Sequence, residues 1–563
     1  MPRIHRKHVV LISPLQAIHV TAGEHLGIGY LAAGLRQQGF TVEVIDAWLE
    51  RLEPDAISGR VMAGMPPLCV GFSAYPSNVQ TIKDTLNVLR ENGLRSPCVG
   101  GGYGPTFHAD AFLDCGLDVV VRGEGDKVFP QLCEYFLSGQ PHLSEIPSIS
   151  YRNNDSITQD NLPAPTLADL DTLPFPSRDT IHLTIKQKNP VNILSSKGCM
   201  GHCTFCSIQS FQRRTGNTQW RQRSIASFVD EIERLVCSYG VTQFKVVDDS
   251  LIEPPRDAQW CARLANELER RRLNVRLRGS IRACRVTDEI AAELHRAGFF
   301  SFACGIENFS VTALRRMAKS ATPEQNTRAL ESFRMHGLYV EAGAILFDDR
   351  TTLHELHVNY EMMRRFNWII MKVFTEMYAA SGTPFAERLH REHNGAPLEL
   401  CLGNYRYSIH DPQALTVYQA MKSWCRFYPG LYDRAINPLR AFRAITPNTF
   451  SAFYELYLEL HERELDVFGL VLDCVTDGMA PPHVERVIYR HFVDTQDWYE
   501  HFSIRLKDIY IASHLSYDAE DNPFARGKHL PKCLGATEDL CRYIADSVPM
   551  ISEDIGIALS TYA

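Results

Sequence analysis

Apolar and polar residues alternate along the first 140 residues in a pattern that predicts a parallel α/β domain. Short apolar runs such as HVVLIS, TVEVIDAW, LCVGFSAY, SPCVGGGY and LDVVV fit strands that are buried on both faces. Amphipathic stretches such as HLGIGYLAAGLRQQGF, which ends at Gly39, separate these runs. Strands that alternate with helices form a parallel sheet, which binds ligands at the carboxyl ends of its strands. We therefore expect a doubly wound, Rossmann-like domain over residues 1–140.

Residues 141–190 form a predicted linker that is rich in proline, and from 191 to 385 the strand–helix alternation resumes. Proline interrupts helices and central strands, so we expect the linker to cross a surface in extended form. Six apolar runs follow it: VNILSS, TQFKVVDDS, NVRLRGSIRA, FFSFACGIE, YVEAGAILF and WIIMKVFTEM. Functional residues should again collect at the carboxyl ends of these strands. The candidates there are Asp248, Asp249, Ser280, Arg282, Glu307, Asp348 and Glu376.

Residues 386–563 form a predicted, mainly helical carboxyl-terminal domain without recognisable chemistry. Its aromatic residues recur at helical spacing, which is typical of core packing. The spacing of its cysteines does not form a second metal motif. These cysteines are Cys401, Cys425, Cys474, Cys533 and Cys541.

Composition restricts the class of protein. A chain of 563 residues is too long for one core, so two to four domains are expected. A net charge of −8 argues against a nucleic-acid partner, and no apolar run approaches the length of a membrane span. The amino terminus is interpreted as a strand and not as a signal peptide. The 16 scattered cysteines then indicate a reducing, cytoplasmic location.

The segment SSKGCMGHCTFCSIQS carries the chemistry, because Cys199, Cys203 and Cys206 form a C-x3-C-x2-C run. Gly198 and Gly201 allow the tight curl that brings three thiolates to one metal centre. Thiolates select iron–sulfur clusters, zinc or copper(I). A structural zinc site is normally closed by four ligands, and no second C-x2-C pair is present. A zinc loop with His202 as fourth ligand, and three unrelated buried cysteines, remain the alternatives.

The run resembles the cysteine motif of the radical S-adenosylmethionine (SAM) superfamily, with Phe205 at its aromatic position. The resemblance implies a [4Fe–4S] cluster held by the three cysteines, SAM on its open iron, and a partial (β/α)6 barrel of the TIM type. FACGIENFSVTALRRMAKSATPEQ resembles another superfamily segment, which implies that Glu307 contacts SAM. Arg282 would bind the SAM carboxylate, beside Phe205 and Ser280; the alternative is an Arg282–Glu307 ion pair. The segment GAILFDDRTTLHEL departs from the usual G-x-I-x-G-x-x-E pattern, so the adenine contacts stay open.

Four segments in order, LGIGYLAAGLRQQGFTVEVIDA, VGFSAY, VGGGYGPTF and VVRGEG, resemble the cobalamin-binding domain that precedes many radical SAM domains. The D-x-H-x-x-G motif that supplies a histidine to cobalt is absent, so cobalamin is expected to bind without that ligand. His19, His25 and His108 lie near the relevant loops, and an empty Rossmann-like domain is the alternative. The residues that the resemblance places around cobalamin are Ser73, Gly101, Gly102, Pro105, Thr106, Arg122, Gly123 and Glu124.

The combined resemblance implies a cobalamin-dependent radical SAM methyltransferase. It would move a methyl group from SAM, by way of cobalamin, to an unactivated carbon of a small molecule in a natural-product or cofactor pathway. A radical cyclase or rearrangement enzyme is the first alternative, and a non-catalytic cobalamin or iron–sulfur sensor is the second. Asp248 and Asp249 are candidate proton acceptors or simply polar strand ends. The carboxyl-terminal domain would cap the barrel, and a flavodoxin or ferredoxin would supply electrons.

Overall fold

The computed structural model describes residues 7–15, 23–165, 167–214, 216, 220–393, 400–401, 404–440, 446–515 and 517. Its amino-terminal part is a seven-stranded sheet in the order β2-β1-β3-β4-β5-β6-β7, of which the first five strands are parallel. The strands are β1 (His8–Ser13), β2 (Thr41–Asp46), β3 (Cys69–Ser73), β4 (Cys98–Gly101), β5 (Val119–Val121), β6 (Ile149–Arg152) and β7 (Thr158–Asp160). The helices are α1 (Leu26–Gln37), α2 (Ala47–Glu50), α3 (Pro54–Ala63), α4 (Val79–Glu91), α5 (Tyr103–Phe107), α6 (Ala109–Asp114) and α7 (Val128–Ser138).

Both faces of this sheet are buried, which confirms the doubly wound arrangement that the apolar runs predict. Successive residues of β1 enter opposite cores: Val9 and Leu11 pack in one, and Val10 and Ile12 pack in the other. A strand buried on both faces has no polar side to alternate with, which explains its continuous apolar sequence.

The predicted linker differs from an extended crossing in its first half. β6 and β7 form an antiparallel hairpin that extends the amino-terminal sheet from β5. Asn153 closes the turn, because its side-chain oxygen accepts hydrogen bonds from the backbone amides of Asp155 and Ile157 at 3.0 and 2.8 Å. The hairpin is free of proline, since the prolines that suggested a linker lie from Pro163 onward. The domain boundaries themselves remain a prediction.

The central part is a five-stranded parallel sheet in the order β14-β13-β12-β11-β8. Between β8 and β11 in the chain, the short antiparallel pair β9–β10 flanks the cysteine loop. The strands are β8 (Val191–Ile193), β9 (Ser196–Lys197), β10 (Arg221–Gln222), β11 (Gln243–Val246), β12 (Arg276–Arg282), β13 (Phe299–Glu307) and β14 (Tyr339–Ala344). The helices are α8 (Ile181–Lys186), α9 (Ser207–Arg214), α10 (Ile225–Tyr239), α11 (Ala258–Arg270), α12 (Asp288–Arg296), α13 (Val311–Arg316), α14 (Pro323–Met335) and α15 (Leu353–Arg365).

The sixth predicted strand is reduced to two isolated parallel bridges, Glu341–Ile370 and Phe347–Glu376. Tyrosine hydroxyls take the place of a neighbouring strand there. The Tyr457 hydroxyl donates to the carbonyl of Ile369 at 2.7 Å and accepts from the amide of Met371 at 2.8 Å. Backbone groups that are buried need a partner, and here the partner is a side chain from the next domain.

That domain is helical, as predicted, and its aromatic residues are core residues. Trp424, Tyr457 and Tyr499 are at most 1% exposed. Within the described ranges, no helix combines the length and apolar composition that a membrane span requires. Cys533 and Cys541 lie outside the described residues. The elements are α16 (Pro384–Glu392), β15 (Leu400–Cys401), β16 (Asn404–Tyr405), α17 (Pro412–Phe427), α18 (Leu431–Arg440), α19 (Pro447–Thr476) and α20 (Pro481–Ala512).

Candidate active site

The loop that carries the three cysteines is anchored where it leaves β8. The buried carboxylate of Asp248, at the end of β11, accepts hydrogen bonds from the Ser195 amide at 2.7 Å and the Ser196 hydroxyl at 2.6 Å. Arg256 lies 3.7 Å from the same carboxylate and donates to the Ser195 carbonyl at 2.8 Å. Asp248 is therefore engaged as an anchor of the cysteine loop, whereas its predicted role as a proton acceptor has no structural support.

The three cysteines are half-buried free thiols around the curl of the loop. Gly198 has a φ of 94°, a conformation that glycine adopts readily, and the Gly201 amide donates to the Cys199 Sγ at 3.3 Å. Burial raises the pKa of Cys199 to about 12 and that of Cys206 to about 11. Such thiols release their protons when a metal centre binds. A soft donor set of this kind fits an iron–sulfur cluster.

The zinc alternative has no support in the geometry. Among the described residues, no three His, Cys, Asp or Glu side chains converge on a point as ligands of one metal ion must. Cys199, Cys203, Cys206 and His202 are all among them. A cubane spaces its ligands more widely, because each cysteine binds a different iron.

Glu253, which sequence reasoning missed, lies at the centre of a charged group beside Cys199. This fully buried carboxylate accepts from Arg282 Nη1 at 2.9 Å and from Arg285 Nε at 3.1 Å, and its Oε1 lies 3.6 Å from the Cys199 Sγ. Arg282 also donates to the Ser320 hydroxyl at 2.8 Å. The alternative of an Arg282–Glu307 ion pair is wrong, since Arg282 pairs with Glu253. SAM binding by Arg282 stays a prediction.

Glu307, at the end of β13, pairs instead with Lys319, whose Nζ lies 2.8 Å from Oε1. Burial works to lower the pKa of Lys319, but the Glu307 carboxylate outweighs it and the pKa is raised. A Cβ at Gly305 would lie 2.7 Å from that Nζ and 2.9 Å from Glu307 Oε1, so a larger residue there would displace the two side chains of the pair. Glu307 itself has a φ of 63°, and backbone strain of this kind is frequent at functional sites.

The remaining SAM candidates occupy suitable places without a tested role. Ser280 is half-buried on β12, and Phe205 packs against an apolar cluster that contains Met317 and Phe385. The polar strand ends Asp348 and Glu376 are engaged by the protein: Arg316 Nε lies 2.8 Å from Asp348, and the Tyr418 hydroxyl donates to Glu376 at 2.6 Å.

The candidate cobalamin residues gather at the carboxyl ends of β3, β4 and β5. The Thr106 hydroxyl joins two of the loops, because it donates to the Gly102 carbonyl at 2.6 Å and accepts from the Gly123 amide at 2.8 Å. Gly102 has a φ of 97°, and a Cβ at Gly101 would meet nothing closer than 3.8 Å. Backbone is therefore open to a bulky ligand at this edge. Pro105 is buried and Ser73 is half-buried beside them.

Two of the predicted cobalamin contacts are occupied by protein partners. Arg122 donates to the Ile149 carbonyl of β6 at 3.2 Å. The Glu124 carboxylate accepts hydrogen bonds from Arg221 Nη1 at 3.0 Å and from Arg221 Nη2 at 2.5 Å. Burial alone would raise the pKa of Glu124, and the Arg221 guanidinium lowers it. Both residues therefore act between protein segments, and their contact with cobalamin stays a prediction.

Of the nearby histidines, His25 has both ring nitrogens engaged, whereas His108 has one without a partner. His25 Nδ1 accepts from the Ile28 amide at 3.2 Å and Nε2 lies 3.0 Å from the Ser73 hydroxyl, so both ring nitrogens are used. Burial lowers the pKa of His108, and its Nε2 is buried without a hydrogen-bond partner. His19 lies outside the described residues.

The carboxyl ends of the two sheets face each other across a polar seam. Lys197 Nζ, two residues before Cys199, lies 2.9 Å from Asp126 in the loop after β5. The Glu124–Arg221 pair lies beside it, and the Tyr103 hydroxyl donates to the Ser381 carbonyl at 3.2 Å. The candidate cobalamin loops are therefore held against the cysteine loop.

Asp249 lies in this seam and differs from Asp248. It accepts from the Gly198 amide at 2.9 Å, and its side chain is accessible to solvent although protein surrounds it. That partial desolvation raises the pKa of Asp249 to about 6. Tyr75 of the amino-terminal sheet and Glu124 are both within electrostatic reach.

Comparisons with known proteins agree with this arrangement. The B12 binding domain family matches residues 20–133, and the radical SAM superfamily matches residues 193–356. An uncharacterized methyltransferase of Pyrococcus horikoshii is 26% identical over 347 residues, which cover 60% of this chain and 73% of that protein. The anaerobic magnesium-protoporphyrin IX monomethyl ester cyclase of Synechocystis is 28% identical over 56% of this chain and 62% of the cyclase, less than two thirds of its length.

The fold has a counterpart among solved structures. The cobalamin-dependent S-adenosylmethionine radical enzyme OxsB, solved with aqua-cobalamin and S-adenosylmethionine bound, superposes with a TM-score of 0.74 at 18% identity. The superposition covers 92% of this chain and 82% of OxsB. The family matches and the shared fold confirm the predicted fold class, and the two family descriptions agree with the predicted cofactors, which are cobalamin, SAM and a [4Fe–4S] cluster. The chain therefore carries a match to the B12 binding domain family followed by a match to the radical SAM superfamily, on a fold that it shares with OxsB along most of its length.

Proposed function

We propose that this chain transfers a SAM-derived methyl group, by way of cobalamin, to an unactivated carbon of a small-molecule substrate in a natural-product or cofactor pathway. The observation that carries the proposal is the seam in which the cysteine loop and the candidate cobalamin loops face each other, joined by Lys197–Asp126 and Arg221–Glu124. Group transfer between two cofactors requires that both reach one substrate, and this arrangement provides for it.

Cobalamin supplies a transferable methyl group, and SAM on the cluster supplies a radical that abstracts hydrogen. The protein would position the cofactors and the substrate, and it would exclude water from them. Cys199, Cys203 and Cys206 would hold the cluster on a loop that Asp248 anchors. Aromatic contacts help to close the seam, since the rings of Tyr103 and Phe211 stack at 6.5 Å between the two domains. Asp249 is the accessible carboxylate between the two candidate cofactor sites and is proposed to orient the substrate by accepting a hydrogen bond from it. The proton-acceptor role is not needed for methyl transfer, because the substrate hydrogen leaves as an atom to the SAM-derived radical.

A radical cyclisation or rearrangement is the second candidate, and the similarity to the Synechocystis cyclase favours it. The two reactions would use the same cofactor sites and differ in the fate of the SAM methyl group. A non-catalytic sensor has no comparable support.

The proposal extends to the cellular setting. Family members need a reductant, and we propose flavodoxin or ferredoxin as its source. The 13 cysteines whose side chains the structure describes are free thiols, as expected of a protein that works in the reducing cytoplasm. The net charge of −8 favours a small-molecule substrate over nucleic acid.

Isotope labelling tests the function. The chain, reconstituted without oxygen with iron, sulfide and cobalamin, would be given CD3-labelled SAM, a reductant and a metabolite extract. Methyl transfer predicts both S-adenosylhomocysteine and 5′-deoxyadenosine, together with a product that is heavier by a CD3 group. Cyclisation predicts 5′-deoxyadenosine and an unlabelled product, which would contradict methyl transfer. A variant in which Cys199, Cys203 and Cys206 are all alanine should lose iron and activity but keep cobalamin.

A further inference from the structure

The inner face of the barrel formed by β8 to β14 carries polar and small side chains, of which some are partly accessible and others, such as Arg278 and Ser301, are buried. On β11, Phe244 and Val246 are buried under helices, whereas Gln243 and Lys245, which point the other way, are partly accessible. On β14 the accessible positions are Glu341 and Gly343, between the buried Val340 and Ala342. Successive strand side chains point to opposite faces, so these positions share the interior. A filled TIM barrel would carry bulky branched side chains there.

Charged side chains lie on this inner face, and their charges do not balance. Arg278 Nη2 forms an ion pair with Glu341 Oε2, and Arg440 Nε lies 2.5 Å from Glu341 Oε1. Arg278 also donates to the Ser301 hydroxyl at 2.7 Å. Lys245 faces Arg278, Glu341 and Arg440, which are the charged groups of the described residues within its electrostatic reach. Three cations therefore share one carboxylate.

Arg440 is half exposed, whereas Arg278 is buried, and an excess of positive charge is unfavourable where the groups are shielded from water. Burial lowers the pKa of Lys245 to about 8, and the positive charges of Arg278 and Arg440 add to the effect. At pH 7 the ammonium group is still mostly protonated, and Glu341 is already taken by two arginines. An anion placed beside Lys245 would balance the charge and restore the pKa of the lysine.

We propose that the inner face of the barrel binds the substrate through an anionic oxygen group, a phosphate or a carboxylate, that contacts Lys245 and is supported by Arg278 and Arg440. This inference rests on the proposed function, because the anion belongs to the substrate of that reaction, and it names the substrate class. Lys245 lies on β11, which ends at Val246, and Asp249 follows in the loop beyond the strand. The anionic group would thus sit deep in the barrel while the reacting carbon lies near the seam.

Anion binding without turnover tests the inference. Calorimetric titrations of the reconstituted holoenzyme with inorganic phosphate and with acetate, at pH 7 and low chloride, separate the two kinds of anion. Saturable binding of either is expected, and Lys245→Met should weaken it at least roughly tenfold. Lys83→Met removes an exposed lysine of the amino-terminal domain and should leave binding unchanged. Equal binding by wild type and Lys245→Met, or binding by neither, overturns the inference.

Thermal stability provides a second measurement, and its expected result differs from that for a lysine with only a structural role. Without added anion, Lys245→Met should melt at a higher temperature than wild type, because it removes an unbalanced buried charge. Phosphate should raise the melting temperature of wild type and of Lys245→Arg, but not that of Lys245→Met. A lower melting temperature of Lys245→Met, with no response of wild type to phosphate or acetate, contradicts the inference.

The outcomes separate this inference from the proposed function. If phosphate or acetate binds through Lys245 but no substrate acquires a labelled methyl group, methyl transfer fails and the anion site stands. If a labelled product forms and neither anion binds, methyl transfer stands and the anion site fails. Sulfate, whose charge is constant between pH 6 and 9, should bind less tightly above pH 8 as Lys245 loses its proton.

Discussion

Replacing Asp248 by asparagine should disable the cysteine loop, whereas the same change at Asp249 should leave the loop in place. The Asp248 and Arg256 side chains are both 0% exposed and lie 3.7 Å apart. Asp248→Asn leaves the Arg256 charge buried without its counter-charge. Removing one partner of a buried ion pair typically costs about 3 to 5 kcal/mol. Asp249 is accessible to solvent and accepts one hydrogen bond, from Gly198 at 2.9 Å, so its loss should cost about 1 kcal/mol.

The two variants can be compared by urea unfolding and iron content. Trp220 and Trp260 flank Arg256 at 4.9 and 4.0 Å from their ring centroids, so tryptophan fluorescence reports on this site. Asp248→Asn should unfold at a clearly lower urea concentration and bind less iron, because Ser195 and Ser196 lose the partner that positions the loop. Asp249→Asn should keep its stability and iron but lose activity.

A double variant tests whether charge is the cause. Asp248→Asn combined with Arg256→Met removes both buried charges, so it should recover part of the stability that Asp248→Asn alone loses. Recovery is incomplete, because Arg256 also donates to the Leu251 carbonyl at 2.9 Å. Wild-type stability and iron content in Asp248→Asn would refute the anchoring argument, and a double variant no better than the sum of the single losses would refute the charge argument.

Three further predictions concern substitutions of Lys319, Glu124 and Glu464. Lys319→Met deprives Glu307 of its cation, so SAM should bind at least roughly tenfold more weakly in equilibrium dialysis. Glu124→Gln breaks the bidentate pair with Arg221, so the melting temperature should fall, with a loss of about 3 kcal/mol, while cobalamin absorbance is retained. Burial raises the pKa of Glu464 to about 7, so ionisation destabilises the fold as pH rises from 4.5 to 7. Glu464→Gln should therefore be more stable than wild type above pH 7, by at most about 3 kcal/mol, and equal to it at pH 4.

Matched variants serve as controls for these predictions. Arg315→Met changes an exposed cation on α13, near Lys319, and should leave SAM affinity intact. Arg221→Met should reproduce the effect of Glu124→Gln. Glu455→Gln alters an exposed carboxylate of α19 and should show no pH-dependent gain. Identical unfolding of Glu464→Gln and wild type at every pH would contradict the raised pKa.

The parts that the sequence predicts correctly depend on short-range patterns. The curl of the cysteine loop follows from glycines and thiols within one segment, and the parallel sheets follow from apolar runs that each span one strand. The prediction of a sixth barrel strand is wrong because it, too, relied on a local pattern. Its residues are apolar enough for a strand, but Tyr457, some 88 residues away, takes the hydrogen bonds that a neighbouring strand would need.

The charged partners of the site could not be predicted because they are distant in sequence. Glu253 and Arg282 are 29 residues apart, and Glu124 and Arg221 are 97 apart. A local pattern shows that Arg282 ends a strand, but not which carboxylate faces it after folding. The hairpin formed by β6 and β7 was missed for a different reason: the prolines after it dominate the composition of residues 141–190.

The antiparallel pair β9–β10 joins the two candidate cofactor sites. Arg221 and Lys197 are paired residues of these strands, and they bind Glu124 and Asp126 of the loop after β5. Since Lys197 is also two residues from Cys199, a shift of that loop would move the cysteines with it. Transfer between cofactors depends steeply on their spacing. Breaking these pairs should therefore reduce turnover more than it reduces the binding of either cofactor alone.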